Sequence, residues 1–189
     1  DFTGFPSGGV TPATYLGVLT RPSNGDGGTI QGAEVTLSLP SELISSSFRG
    51  FGLIVSGAYN DSDIEPNGPG SGSTTIPGLS QKIASATVYY ERGGFAARVS
   101  ERYRSSYRGN IYTFGPRGEN YRTISTEQVF DAQLSYEFKA GPFKGLTIIL
   151  QGYNLTDEPL QTNEESDPRL IIDYQQYGAS YSAGVSYKF

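Results

Sequence analysis

Apolar and polar positions alternate with a period of two along most of this chain, the mark of strands with two unlike faces. The last strand is the clearest. Tyr177, Ala179, Tyr181, Ala183, Val185, Tyr187 and Phe189 fall on one face. Gln176, Gly178, Ser180, Ser182, Gly184, Ser186 and Lys188 fall on the other. Upstream, Phe130, Ala132, Leu134, Tyr136 and Phe138 alternate with Asp131, Gln133, Ser135 and Glu137. The same reading predicts strands over residues 33–39, 51–60, 84–91 and 95–104. Residues 145–155 are more apolar, and Ile149 shares the face of Thr147 and Gln151. That makes about seven strands, with Tyr15 to Thr20 as the tail of an eighth.

Proline gives an independent check, because it cannot donate to a ladder. All eleven prolines fall between the proposed strands or at their ends. No helical periodicity exceeds a turn or two; residues 41–48 suit a short helical turn. Connections alternate in length. Residues 92–94 and 139–144 are tight turns and 40–49 is somewhat longer, whereas 61–81, 108–126 and 156–175 are long loops. One end of the sheet therefore carries turns and the other extended loops, as in transmembrane β-barrels.

Alternation alone also fits a soluble sandwich or a lipocalin-like barrel. Two features favour the membrane. The strands run to about 9–13 residues, beyond the usual 5–6, and about 9–11 tilted residues cross a bilayer. The polar faces are rich in Gly, Ser, Thr and Gln, where a water-facing sheet would carry more Lys and Glu. Tyr and Phe gather near strand ends, as interfacial girdles require. Glu101 has apolar-face parity; a bulge, or a place near the interface, would accommodate it.

Composition narrows the chemistry. Cys and His are absent from the 189 residues, which removes disulfides, thiol nucleophiles, zinc–thiolate sites and any imidazole base or ligand. Neither a metal nor a cofactor is expected. No apolar run approaches the length of a spanning helix. Asp1-Phe2-Thr3-Gly4 is not a signal peptide, and the lack of Met suggests a processed chain or a fragment. A net charge of −5 argues against a nucleic-acid partner. Gly (25) and Tyr (14) are the excesses.

Several ordered segments resemble a known family. They are Thr20-Arg21-Pro22-Ser23-Asn24-Gly25-Asp26-Gly27-Gly28, Gly32-Ala33-Glu34 and Pro77-Gly78-Leu79-Ser80. Arg98-Val99-Ser100, Arg102-Tyr103-Arg104-Ser105 and Asp131-Ala132-Gln133 follow. The end is the most specific: Asn154-Leu155-Thr156-Asp157-Glu158-Pro159, Tyr174-Gln175-Gln176-Tyr177-Gly178 and Gly184-Val185-Ser186-Tyr187-Lys188-Phe189. Together they resemble the C-terminal barrel portion of a TonB-dependent outer-membrane receptor, closest to the branch common in Xanthomonas and Caulobacter relatives. The resemblance implies an all-β, transmembrane antiparallel β-barrel of 22 strands filled by an N-terminal plug, of which this chain supplies about the last seven. Residues 1–26 then form an extracellular loop and the end of a preceding strand, and residues 27–189 the barrel strands. It implies a bacterial outer-membrane location and partners in membrane lipid, lipopolysaccharide, the remaining strands and plug, TonB through the plug, and a small-molecule ligand. Carbohydrate is favoured over iron–siderophore. Tyr187 and Phe189 correspond to the barrel-assembly signal.

The local constellations each have a plainer reading. Residues 61–68 alternate acids, but Pro66 and Gly72 stand where an EF-hand loop needs Gly and Glu. The last long loop sets Asp157, Glu158, Glu164, Glu165, Asp167 and Asp173 against Arg169, which suits a solvated loop or contact with cations bridging lipopolysaccharide. Tyr107, Tyr112, Phe114, Tyr121 and Tyr174 lie in or beside long loops; they suit stacking on sugar rings, or loop packing. Arg98, Arg102 and Arg104 share a polar face; they suit steering an acidic ligand, or pairing with Asp131 and Glu137. A soluble all-β carbohydrate-binding module is the alternative. Hydrolysis by paired carboxylates such as Asp131 and Glu137 is a third reading, and no enzyme is expected.

Overall fold

The computed structural model describes residues 27–43, 45–65, 73–113 and 119–188. The strand expected over Tyr15 to Thr20, Phe114 and the terminal Phe189 lie outside the described residues. Eleven strands are described: β1 (Gly28–Pro40), β2 (Phe51–Ile64), β3 (Lys82–Arg92), β4 (Phe95–Arg104), β5 (Tyr107–Thr113), β6 (Glu119–Ile124), β7 (Glu127–Glu137), β8 (Leu146–Tyr153), β9 (Leu160–Glu164), β10 (Ile171–Gln175) and β11 (Ser180–Tyr187). Two 3-10 turns, Ser41–Leu43 and Ser46–Phe48, join β1 to β2 where a helical turn is predicted.

Seven strands form one antiparallel sheet in the order β1-β2-β3-β4-β7-β8-β11. These are the seven that the alternation predicts. Glycine closes the tight turns: Gly93 and Gly94 have φ of 64° and 93°, and Gly141 and Gly145 have 78° and 89°, a region costly for residues with a Cβ. Several ends differ from expectation: β1 begins at Gly28 rather than near Ala33, and β2 runs to Ile64, into the loop predicted over residues 61–81. β11 begins at Ser180 rather than near Gln176, because Gly178 at φ 79° leaves the extended line. β8 stops at Tyr153, because Asn154 adopts φ 51°.

Pairing across this sheet carries no register shift. Parity is therefore kept from edge to edge. One row runs Leu39, Leu53, Val88, Val99, Ala132, Gly152, Tyr181. A polar row beside it runs Gly52, Tyr89, Arg98, Gln133, Gln151, Ser182. The apolar face has no second layer among the described residues. Val35 is 70% exposed, Val88 55%, Leu134 47% and Val185 73%, and Val129 alone among described apolar side chains is buried. So large an uncovered apolar surface is foreign to a water-soluble domain, and the soluble-module alternative finds no support.

The long loops hold more structure than their sequence suggests. Within the spans 108–126 and 156–175, β5 pairs with β6 and β9 with β10, and the pairs join as a second sheet, β10-β9-β6-β5. Shifts between Arg108 and Ile111 and between Ile171 and Asp173 break its register. A bulge flips parity, so these strands leave no clean alternation to read.

Candidate functional site

The polar face of the large sheet is a ladder of amides and hydroxyls with a few charges. Ser182 Oγ donates to Gln151 Oε1 at 3.2 Å, and Gln151 Nε2 to Gln133 Oε1 at 3.0 Å. Ser56 and Ser85 hydroxyls lie 2.7 Å apart, and those of Thr87 and Ser100 2.9 Å. Arg102 donates to Asp131 Oδ2 at 3.1 Å, and Arg98 reaches Glu91 at 3.8 Å. A small hollow of about 70 Å³ opens between Arg98, Asp131, Gln133, Gln151 and Tyr153.

The two carboxylates considered for hydrolysis do not pair. Asp131 and Glu137 are six residues apart on β7, about 20 Å at strand rise, far beyond the separation that glycoside hydrolysis uses. Asp131 is held by Arg102, and Glu137 accepts from Lys139 at 2.7 Å. Among the described residues no group of three or more acids could hold a metal ion.

At the loop end, Asn154 organises the turn after β8. Its side chain accepts from Glu158 N–H at 2.8 Å and donates to Glu158 O at 3.1 Å, and its own N–H donates to Asp131 Oδ1 at 3.0 Å. This explains Asn154-Leu155-Thr156-Asp157-Glu158-Pro159 as a side-chain-closed turn anchored to the polar face. Asp167, in the last loop, is held below the usual carboxylate range by the Arg169 guanidinium and backbone N–H.

Arg104 is fully engaged. Its Nε donates to Ser80 Oγ at 2.6 Å, its NH2 to Gly78 O at 2.8 Å, and its guanidinium lies 3.9 Å from the Tyr107 ring centre. Arg108 joins three loops. Its Nε donates to Glu165 Oε1 at 2.7 Å, its NH1 bonds Thr74 Oγ1, its carbonyl accepts from Gly78 N–H at 2.7 Å, and its guanidinium lies 4.2 Å from the Tyr121 ring centre. No pattern in the sequence singles out Arg108, and Glu165 stands there only as one of the loop acids. They lie 57 positions apart, and no spacing rule connects them.

The aromatic candidates do not form one cluster. Tyr107 opposes Ile124, while Tyr121 belongs with Thr123 and Asn163 on the other face of the small sheet. Tyr174 opposes Gln161 on that same face as Tyr121, and is 50% exposed. The backbone of Tyr112 opposes Asn120. Glu101 keeps its apolar-face parity with no bulge, between Ala86 and Phe130. It stands three residues from the end of β4, toward the loops, and Gln128 Nε2 donates to its Oε1.

A family model described as TonB dependent receptor-like, beta-barrel matches residues 1–155. No curated protein and no solved structure matches the chain.

Proposed function

The chain belongs to the TonB dependent receptor-like β-barrel family of outer-membrane transport receptors, and from that membership we propose that its seven long strands are a C-terminal stretch of barrel wall past which a carbohydrate is taken up. The observation that carries this reading is the unbroken register, which keeps the uncovered apolar residues on one face and the amides and hydroxyls on the other; in this reading the first face meets lipid and the second a lumen. Turns lie on the periplasmic side and the small sheet stands outside the cell. TonB acts through a plug elsewhere in the receptor, and loop acids meet cation-bridged lipopolysaccharide. Tyr187 and Phe189 signal barrel assembly. The branch is that of Xanthomonas and Caulobacter relatives.

Carbohydrate suits the chemistry of the polar face. Gln133, Gln151 and Ser182 offer neutral donors and acceptors, and Tyr153 offers a ring beside them. Tyr121 and Tyr174, on one face of the small sheet, are the outer contacts, and Tyr112 and Phe114 are further aromatic candidates from the sequence span 108–126. Arg98 faces the hollow, whereas Arg102, Arg104 and Tyr107 position the wall. The receptor carrying this chain is tested by isothermal titration calorimetry with a panel of oligosaccharides and ferric siderophores. Micromolar binding of an oligosaccharide that Gln151→Ala weakens tenfold is expected. Binding of a ferric siderophore alone overturns the carbohydrate assignment.

A further inference from the structure

The turn end of the large sheet carries an apolar groove that transport does not use. Leu39, Phe48, Phe51 and Leu53 enclose about 430 Å³. Leu39 and Leu53 stand opposite each other in the apolar row that continues through Val88 and Val99, so the groove is continuous with the lipid-facing surface. Phe51 packs on Tyr90 at 4.6 Å and Tyr90 on Phe95 at 6.1 Å. That aromatic belt marks the level of the headgroups.

Two arginines flank the turn end of the β2–β3 pair, Arg49 before β2 and Arg92 at the end of β3. Glu91 N–H donates to Gly50 O at 2.7 Å, one residue beyond the last paired rung, Phe51 with Tyr90. Arg49 precedes Gly50 and Arg92 follows Glu91, and the Arg92 Cβ lies 3.4 Å from where a Cβ on Gly50 would stand. Both arginines are exposed. Neither guanidinium has a hydrogen-bonding or ionic partner among the described residues. The neighbouring acids are occupied: Glu91 pairs with Arg98, and Glu42 accepts from Gly50 N–H at 3.2 Å.

Like charges across a strand pair repel. An anion between them reverses the sign, and the guanidinium fork fits phosphate oxygens in pairs. A phosphate at the headgroup level, above an apolar groove open to lipid, is the chemistry of one ligand class. We propose that Arg49 and Arg92, with the Leu39–Phe48–Phe51–Leu53 groove, bind an anionic glycerophospholipid of the periplasmic leaflet. Its phosphate bridges the guanidinium groups and an acyl chain lies in the groove. This rests on the barrel-wall reading above.

The test is native mass spectrometry of the intact receptor carrying this chain, purified in mild detergent and titrated with dioleoylphosphatidylglycerol or dioleoylphosphatidylethanolamine. Phosphatidylglycerol is expected to be retained about tenfold more strongly, because its headgroup brings the two guanidinium groups a net negative charge and that of phosphatidylethanolamine does not. Arg49→Gln with Arg92→Gln removes that preference, and Arg92→Gln alone gives an intermediate value. Lys144→Gln with Lys188→Gln, at the separate hollow beside Tyr187 on the same rim, leaves it unchanged, as does added inorganic phosphate. Equal retention of both lipids, an unaltered preference in the arginine variants, or an equal loss in the lysine variant overturns the site. Heat-modifiable migration is read on every sample. Its presence without lipid preference rejects the site and leaves the barrel reading standing, whereas its absence in the unsubstituted receptor rejects the barrel reading itself.

Discussion

Arg102 and Asp131 are joined across the β4–β7 pair, with NH2 to Oδ2 at 3.1 Å. The other oxygen of Asp131 accepts from Asn154 N–H at 3.0 Å. One carboxylate thus ties the polar face to the turn that ends β8. Arg102 is 64% exposed, so its ion pair contributes little, about 0–1 kcal/mol. The backbone bond is part-buried, and losing its acceptor costs about 1–2 kcal/mol. Asp131→Asn, which keeps an acceptor, is therefore expected to be mild, and Asp131→Ala to be the more damaging. Urea unfolding of the receptor followed by heat-modifiable migration measures both. Equal effects would show that the turn does not depend on Asp131.

Asn154 makes a sharper case. It holds φ 51° and satisfies both backbone groups of Glu158. Asn154→Gly keeps the backbone freedom and loses the cap, whereas Asn154→Ala loses both. The alanine variant should be less stable than glycine by about 1 kcal/mol, read in the same unfolding assay. The reverse order would mean that the turn is held by its neighbours.

The Arg108–Glu165 pair is less exposed, at 21% and 36% of the two side chains. A double-mutant cycle with Arg108→Ala and Glu165→Ala should give a coupling of about 0.5–2 kcal/mol. Protease added to whole cells should cut within residues 156–175 several times faster in either variant. Unchanged cutting would place the docking of the small sheet elsewhere.

Gly52 and Tyr89 interlock on the polar face. A Cβ on Gly52 would meet the Tyr89 ring, which is directly opposite in the β2–β3 register. Gly52→Ala should cost about 1–3 kcal/mol through overpacking. Adding Tyr89→Ala should recover part of that loss, so the double variant is less impaired than the sum of the two. Simple additivity would show that the ring moves aside.

The large sheet was legible because each row alternates without a bulge, from Leu39 through Val88 to Tyr181. Glycines at Gly93, Gly94 and Gly145 mark the turns as plainly. The small sheet was hidden for the opposite reason: shifts beside Arg108 and Ile171 erase the period of two. The candidate site was legible only as a list. Residue types suggested that Arg102 could meet Asp131, and it does. Nothing local showed that Tyr107 and Tyr121 would stand on opposite faces, or that Arg104 would be spent on Ser80, Gly78 and Tyr107. Those outcomes depend on which strands become neighbours.

Substituted-cysteine labelling tests the central claim most directly, because this chain contains no cysteine. Neighbouring positions are replaced singly in the outer-membrane-embedded receptor and treated with a small, membrane-impermeant thiol reagent. Val88→Cys, Val99→Cys and Leu150→Cys should be protected until the membrane is dissolved. Thr87→Cys, Ser100→Cys and Gln151→Cys should react beforehand. Equal reactivity of Val99→Cys and Ser100→Cys, or the inverse pattern, would contradict a sheet with one face in lipid and the other in a lumen.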